Sequence, residues 1–192
     1  MASKFFAILS RLKYINRWAL MRNTHTENLS EHTLDTAYIA HALVTIDKNR
    51  FGGNLNPEHA AVLAMYHDVS EILTGDMPTP VKYFNSDLKK AYKVAEKSAS
   101  EKLINHLPDD MKSEIGGYIA PSDDDEYKPF IKAADRLSAI IKCIEERKTG
   151  NREFISAEET QMKAIKEMNL PAANAFIEEF LPAYSLSLDE LN

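Results

Sequence analysis

The sequence predicts an all-α fold, and three observations carry the prediction. Apolar residues recur at helical spacing along nearly the whole chain, while alternating strand-like runs are scarce. Only six glycines occur in 192 residues. Asn56-Pro57-Glu58 is a strong helix start, with Asn at the cap, Pro at the first position and an acid in the first turn. A chain of this length with 44% hydrophobic residues can build one domain with a full core. No repeat, linker or low-complexity tract interrupts it, so residues 1–192 read as a single domain.

Taken in order, Phe5, Phe6, Leu9 and Leu12 give a short first helix over 4–12. A less periodic segment, 13–26, holds Arg17 beside the only tryptophan, Trp18. Asn28 with Glu31 three residues later resembles a capping arrangement, with Ser30 as a second possible cap. Either start places His32 in or near the first turn of a helix to about 47, whose stripe reads Leu34, Ala37, Tyr38, His41 and Val44. From Pro57 a helix is expected to run to Leu73, with Gly75 just past its end. Ala60, Ala61, Val62, Leu63, Ala64, Met65 and Val69 make it apolar on most sides, as at the centre of a bundle.

The prolines of Asp76-Met77-Pro78-Thr79-Pro80 prevent helix continuation. Ser86 can cap a charged helix over 87–106, and Pro108-Asp109-Asp110 opens a shorter one ending near Gly116-Gly117. Further helices are expected over 126–148, 157–168 and 171–180.

Composition excludes several function classes. No apolar run is long enough to cross a bilayer, and the N-terminus lacks the order of a secretory signal. Cys143 is the only cysteine, so no internal disulfide is possible, which fits a reducing cytoplasm. A net charge of −6 argues against a nucleic-acid polymer as partner.

The chemistry gathers around Tyr66-His67-Asp68-Val69-Ser70-Glu71, where three polar groups interrupt a buried run. On a continuous helix, with about 100° between residues, His67 and Asp68 splay and Glu71 lies one turn above both. An imidazole and a carboxylate suit a divalent transition metal. Two ligands are too few, and His32 and Asp135 are candidates for the rest. Asp135 sits in Lys132-Ala133-Ala134-Asp135-Arg136-Leu137, beside the stripe Ile131, Ala134, Leu137, Ile141, Ile144, and an acid there needs a partner.

The set His32…His67-Asp68…Asp135 resembles the HD-domain superfamily of metal-dependent phosphohydrolases. Further matches narrow this to the bacterial HD-domain 5′-deoxynucleotidases. They include Ile15-Asn16-Arg17-Trp18, Met21-Arg22-Asn23, Glu27-Asn28, Ser30-Glu31-His32, Leu73-Thr74-Gly75-Asp76, Pro78-Thr79-Pro80-Val81-Lys82 and Leu186-Ser187-Leu188-Asp189-Glu190. The resemblance implies an HD-domain helical bundle that hydrolyses deoxyribonucleoside 5′-monophosphates, selecting against ribonucleotides and 3′-monophosphates. It implies His32, His67, Asp68 and Asp135 as ligands of one divalent cation such as Co²⁺ or Mn²⁺. Glu71 is the implied catalytic carboxyl, and Asp76, on the rigid proline-rich loop, is a candidate to protonate the leaving 5′-oxygen. Arg17, Trp18, His32, Asp68, Asp76, Met77, Pro78, Thr79 and Asp135 are the implied substrate contacts. It also implies a cytoplasmic homodimer.

The rivals are an HD phosphohydrolase of a cyclic nucleotide or guanosine polyphosphate, and a nucleotide sensor without turnover. A sensor predicts a damaged motif, and the motif is complete. His25, His41, His59 and His106 match no motif, and His41 reads as an interior or interface histidine. Asp123-Asp124-Asp125-Glu126 lacks the spacing and central glycine of a calcium loop.

Overall fold

The computed structural model describes residues 2–82 and 84–192. The order of helices is α1 (Phe5–Leu9), α2 (Leu29–Ile46), α3 (Pro57–Tyr66), α4 (Glu71–Thr74), α5 (Thr79–Lys82), α6 (Ser86–Ile104), α7 (Asp109–Ile119), α8 (Lys128–Lys148), α9 (Ile155–Lys166) and α10 (Pro171–Glu179). Among the described residues the only β pairing is an isolated antiparallel bridge between Asn16 and Asn28. The all-α expectation therefore holds.

The chain forms two compact units. The first comprises Met1–Leu20, Thr26–Thr33 and Met65–Asp125. Its core gathers Phe5, Leu12, Leu29, Val69, Leu103, Leu107 and Ile119. The second comprises Met21–His25, Leu34–Ala64 and Glu126–Asn192. Its core is larger and centres on α8, where Ala133, Ala134, Leu137, Ile140, Ile141 and Ile144 pack with Ala40, Leu43 and Val44 of α2 and with Ile165 and Phe176. Each such Leu, Ile or Phe contributes roughly 1.5–3 kcal/mol by leaving water.

Several sequence expectations change at this level. The helix expected from Pro57 to Leu73 breaks: α3 ends at Tyr66, residues 67–70 form tight turns, and α4 restarts at Glu71. The hydrogen bonds there contract to three-residue spacing, from Val69 N to Tyr66 O, Glu71 N to Asp68 O and Leu73 N to Ser70 O. Met65 is exposed rather than interior. On α2 the buried stripe includes His32, Thr36, Ala37, Ala40, Leu43 and Val44, which leaves Leu34, Tyr38 and His41 facing solvent. Apolar periodicity misassigned this face because small and polar residues fill the interior side of the helix. Asn85, not Ser86, caps α6, accepting from Leu88 N at 2.7 Å. The helix begun at Asp109 runs through both glycines to Ile119. Thr79 and Pro80 begin the single turn α5 rather than lying in a loop, because proline tolerates a first turn.

A buried ion pair organises the second unit. Lys142 and Glu146 lie one turn apart on α8 and are 5% and 1% exposed. Lys142 Nζ donates to a Glu146 carboxylate oxygen and to the His25 carbonyl. Glu146 also accepts from Thr24 N at 2.9 Å, Thr24 Oγ1 at 2.7 Å, His25 N at 3.2 Å and Asn151 Nδ2 at 2.8 Å. These donors tie Met21–His25 to α8. Burial pushes the Glu146 carboxyl up, but Lys142, Thr24 and Asn151 outweigh it and hold it far below the usual carboxylate range.

A carboxyl depressed in this way stabilises the fold above its unfolded pKa and loses that contribution as pH falls. Glu146→Gln should therefore lower stability at pH 7 by about 3 kcal/mol, because it leaves a buried ammonium without its anion. The gap to the parent should narrow as pH drops below about 4. Urea unfolding of both proteins across that range checks this, and a gap that does not depend on pH would contradict it.

Candidate metal centre

His32 is placed by the start of α2. Asn28 Oδ1 accepts from Ser30 N at 3.0 Å and Glu31 N at 3.2 Å, while Glu31 Oε2 accepts from Asn28 N at 3.0 Å. This reciprocal cap selects Asn28 over Ser30 and fixes the first turn. His32 N then donates to Asn28 O, and the imidazole is fully buried.

The segment ahead of the cap pairs with the chain around Asn16. Leu29 N donates to Ile15 O and Arg17 N to Glu27 O, both at 2.9 Å. This antiparallel register sets Arg17 opposite Glu27. Trp18 follows at φ 59°. For a bulky residue this left-handed conformation costs roughly 1–3 kcal/mol and marks a site where the surroundings impose it. Its indole Nε1 donates to Glu27 Oε2 at 2.7 Å.

The break after α3 shapes the rest of the centre. A continuous helix splays His67 and Asp68, whereas the tight turn brings His67 Nε2 to 3.1 Å from Asp68 Oδ2. His32 Nε2 reaches the same oxygen at 3.6 Å, and the two imidazole centroids are 5.3 Å apart. Arg17 Nη1 lies 3.7 Å from it. Burial pushes the Asp68 carboxyl up, but the His67 and His32 imidazoles prevail and hold it well below the ordinary range. Two imidazoles and an ionised carboxylate form a donor set that suits a divalent transition metal.

Glu71 opens α4 and is buried at 7% exposure. Its Oε2 is buried without a hydrogen-bond partner among the described residues. Burial, then the negative charges of Asp68 and Asp76, push its carboxyl up to about 9, against the opposing charges of Arg17 and Lys82. An acceptor at that depth calls for a proton or a bound donor.

Asp76 is raised as well, first by burial and then by Asp68, with Arg17 opposing. Gly75 at φ 76° turns the chain into this loop, and Tyr92 donates to its carbonyl at 2.9 Å. Met77 and Pro78 are half-buried and Thr79 is exposed. Lys82 pairs with Glu96 at 2.9 Å and lies over the Tyr92 ring.

The first unit thus gathers Arg17, His32, His67 and Asp68 by direct contact, Trp18 through Glu27, and Glu71 and Asp76 through their charges. Asp135 belongs to the second unit, half-buried on α8 between Ala134 and Arg136. The residue that sequence reasoning gave no role is Glu27. Its signal was an opposite charge ten positions from Arg17, readable only once the antiparallel register is known.

Comparison with known proteins gives a consistent result. A family model described as "5′-deoxynucleotidase YfbR-like" matches residues 4–184. The 5′-deoxynucleotidase YfbR of Escherichia coli O127:H6 is 49% identical over 191 residues, covering 99% of this chain and 96% of that one. Among solved structures, an HD-domain phosphohydrolase from Listeria innocua superposes with a TM-score of 0.82 at 22% identity, covering 94% of this chain and 88% of that one. A cyanophage S-2L HD phosphohydrolase, bound to dA and one catalytic Zn²⁺, superposes with a TM-score of 0.63 at 18% identity, covering 93% and 95%. These structural likenesses establish the helical HD-domain fold. The sequence match over nearly the whole chain goes further, and this protein belongs to the YfbR-like family of 5′-deoxynucleotidases.

Proposed function

We propose that this protein hydrolyses deoxyribonucleoside 5′-monophosphates to deoxyribonucleosides and phosphate, with one divalent cation held by His32, His67, Asp68 and Asp135. The observation that carries the reading is the grouping of His32 and His67 around one Asp68 oxygen, with Arg17 on that oxygen and a buried, charge-coupled Glu71. Family membership at 49% identity supports the substrate class. The reading treats residues 1–192 as one functional HD domain acting as a cytoplasmic homodimer, as the sequence resemblance implies.

A divalent cation held by His32, His67, Asp68 and Asp135 would supply Lewis acidity to a phosphoryl oxygen and to water, and its positive charge would favour the ionised form of Glu71. Glu71 orients the attacking water and takes its proton. Asp76, whose carboxyl burial pushes up from its usual value, is the group placed to protonate the leaving 5′-oxygen. Arg17 offers a planar fork to the phosphoryl oxygens. Met77, Pro78 and Thr79 line the substrate on the far side of Gly75, and His32, Asp68 and Asp135 touch it as well. Trp18 sets a flat apolar wall against the sugar. A 2′-hydroxyl pressed there loses water without gaining a partner, at a cost of ~1–3 kcal/mol.

Assaying 5′- and 3′-monophosphates, deoxy and ribo, with Co²⁺, Mn²⁺ and Zn²⁺ tests the reading directly. Deoxy 5′-monophosphates should be preferred, chelation should abolish activity, and added divalent cation should restore it. Chelator-resistant activity in a protein free of metal by elemental analysis would refute the metal role.

Replacing Glu71 by Ala should lower kcat by at least about 10²-fold while deoxynucleotide binding persists in calorimetry. Near-parental turnover removes its catalytic role. Trp18→Ala should reduce the deoxy-to-ribo ratio of kcat/KM by roughly 5- to 100-fold, the factor corresponding to the desolvation cost. An unchanged ratio removes its selective role.

A further inference from the structure

Glu27 stands between the nucleotide-reading pair and the histidine of the metal centre, and it divides its two oxygens between them. Oε2 accepts the Trp18 indole N–H at 2.7 Å and faces Arg17 Nε at 3.4 Å. Oε1 faces His32 Nδ1 at 3.9 Å. The residue is buried at 8% exposure, and its backbone carbonyl accepts from Arg17 N at 2.9 Å.

We propose that Glu27 is a positioning residue that sets the orientation of Trp18 and Arg17 beside the Nδ1 face of His32. The proposal rests on the reading that Arg17 and Trp18 contact the nucleotide and that His32 is a metal ligand.

Trp18 occupies a left-handed backbone conformation that a bulky side chain rarely adopts, so the indole needs a tether to remain in one place. An indole N–H is a donor only, and a carboxylate at 2.7 Å gives it a charge-assisted partner. The same oxygen draws in the adjacent guanidinium, which locks the two neighbouring side chains relative to one another. Oε1 of Glu27 faces the remote nitrogen of His32 at 3.9 Å, an electrostatic contact longer than a hydrogen bond. The buried His32 ring has Glu27 on its Nδ1 side and Asp68 on its Nε2 side. One side chain therefore tethers the indole, pairs with the guanidinium beside it and faces the His32 ring. The antiparallel register that sets Glu27 opposite Arg17 makes the arrangement part of the backbone fold.

Trp18 is the only tryptophan, so its emission reports on the tether directly and without metal or substrate. In Glu27→Ala, the metal-free protein should show a red-shifted Trp18 emission and a lower anisotropy. The deoxy-to-ribo ratio of kcat/KM for deoxyadenosine and adenosine 5′-monophosphates should fall about tenfold, the value of one charge-assisted hydrogen bond. Glu27→Gln keeps an oxygen but loses the charge, so it should hold the emission near the parental spectrum while KM rises beside Arg17.

Parental emission or a parental ratio in a folded Glu27→Ala overturns the proposal. If that variant fails to fold by circular dichroism, Glu27→Asp, one methylene shorter, takes over both readouts, and parental values there overturn the proposal equally. A parental enzyme that hydrolyses no nucleotide in the metal panel overturns the nucleotidase reading instead, and the emission shift then still judges the Glu27–Trp18 tether.

Discussion

The structure depends on what faces its carboxyl groups where water is scarce. Asp68, Glu71, Asp76 and Glu27 lie in one unit, and each is stable only by what faces it. Asp68 meets two imidazoles and the Arg17 guanidinium and stays ionised. Glu71 is buried beside other negative charges and is driven toward its neutral form. Two carboxyls three residues apart thus take opposite protonation states, because cations touch the first while burial and neighbouring acids dominate the second. That separation sets an ionised carboxylate beside one that holds its proton.

The same constraint explains the break in the chain at the motif. A regular helix satisfies its own backbone but sets successive side chains about 100° apart. Contracting the turns after Tyr66 brings His67 onto Asp68 and leaves Glu71 at the head of a new helix. Regular geometry is given up over residues 67–70, where His67 and Asp68 converge, and helix resumes at Glu71.

Much of this was legible in the sequence, for local physical reasons. Helix starts at Asn28 and Pro57, the stop at Gly75 and the stripe of α8 each depend on residues within a few positions of one another. The pattern singled out His32, His67 and Asp68, and the structure brings these three side chains together. The break at Tyr66 was not, because an apolar run with helical spacing gives no sign of contracted hydrogen bonds. Lys142 and Glu146 gave no signal because an acid and a lysine one turn apart usually form a solvated surface pair, and only the fold shows that Thr24, His25 and Asn151 enclose it. The exposed faces of Leu34, Tyr38 and Met65 were illegible because apolar character is a one-way guide to burial. Glu27 was hidden because its importance lies in register across a turn.

Trp18 carries a consequence for how this chain tolerates change. Its backbone conformation is one that glycine adopts without strain, so a screen for thermal robustness alone would drift toward glycine at this position. Such a drift would relax the main chain and at the same time remove the indole and the donor that Glu27 holds. Position 18 is thus a point where ease of the main chain and the indole's hydrogen bond to Glu27 pull in opposite directions.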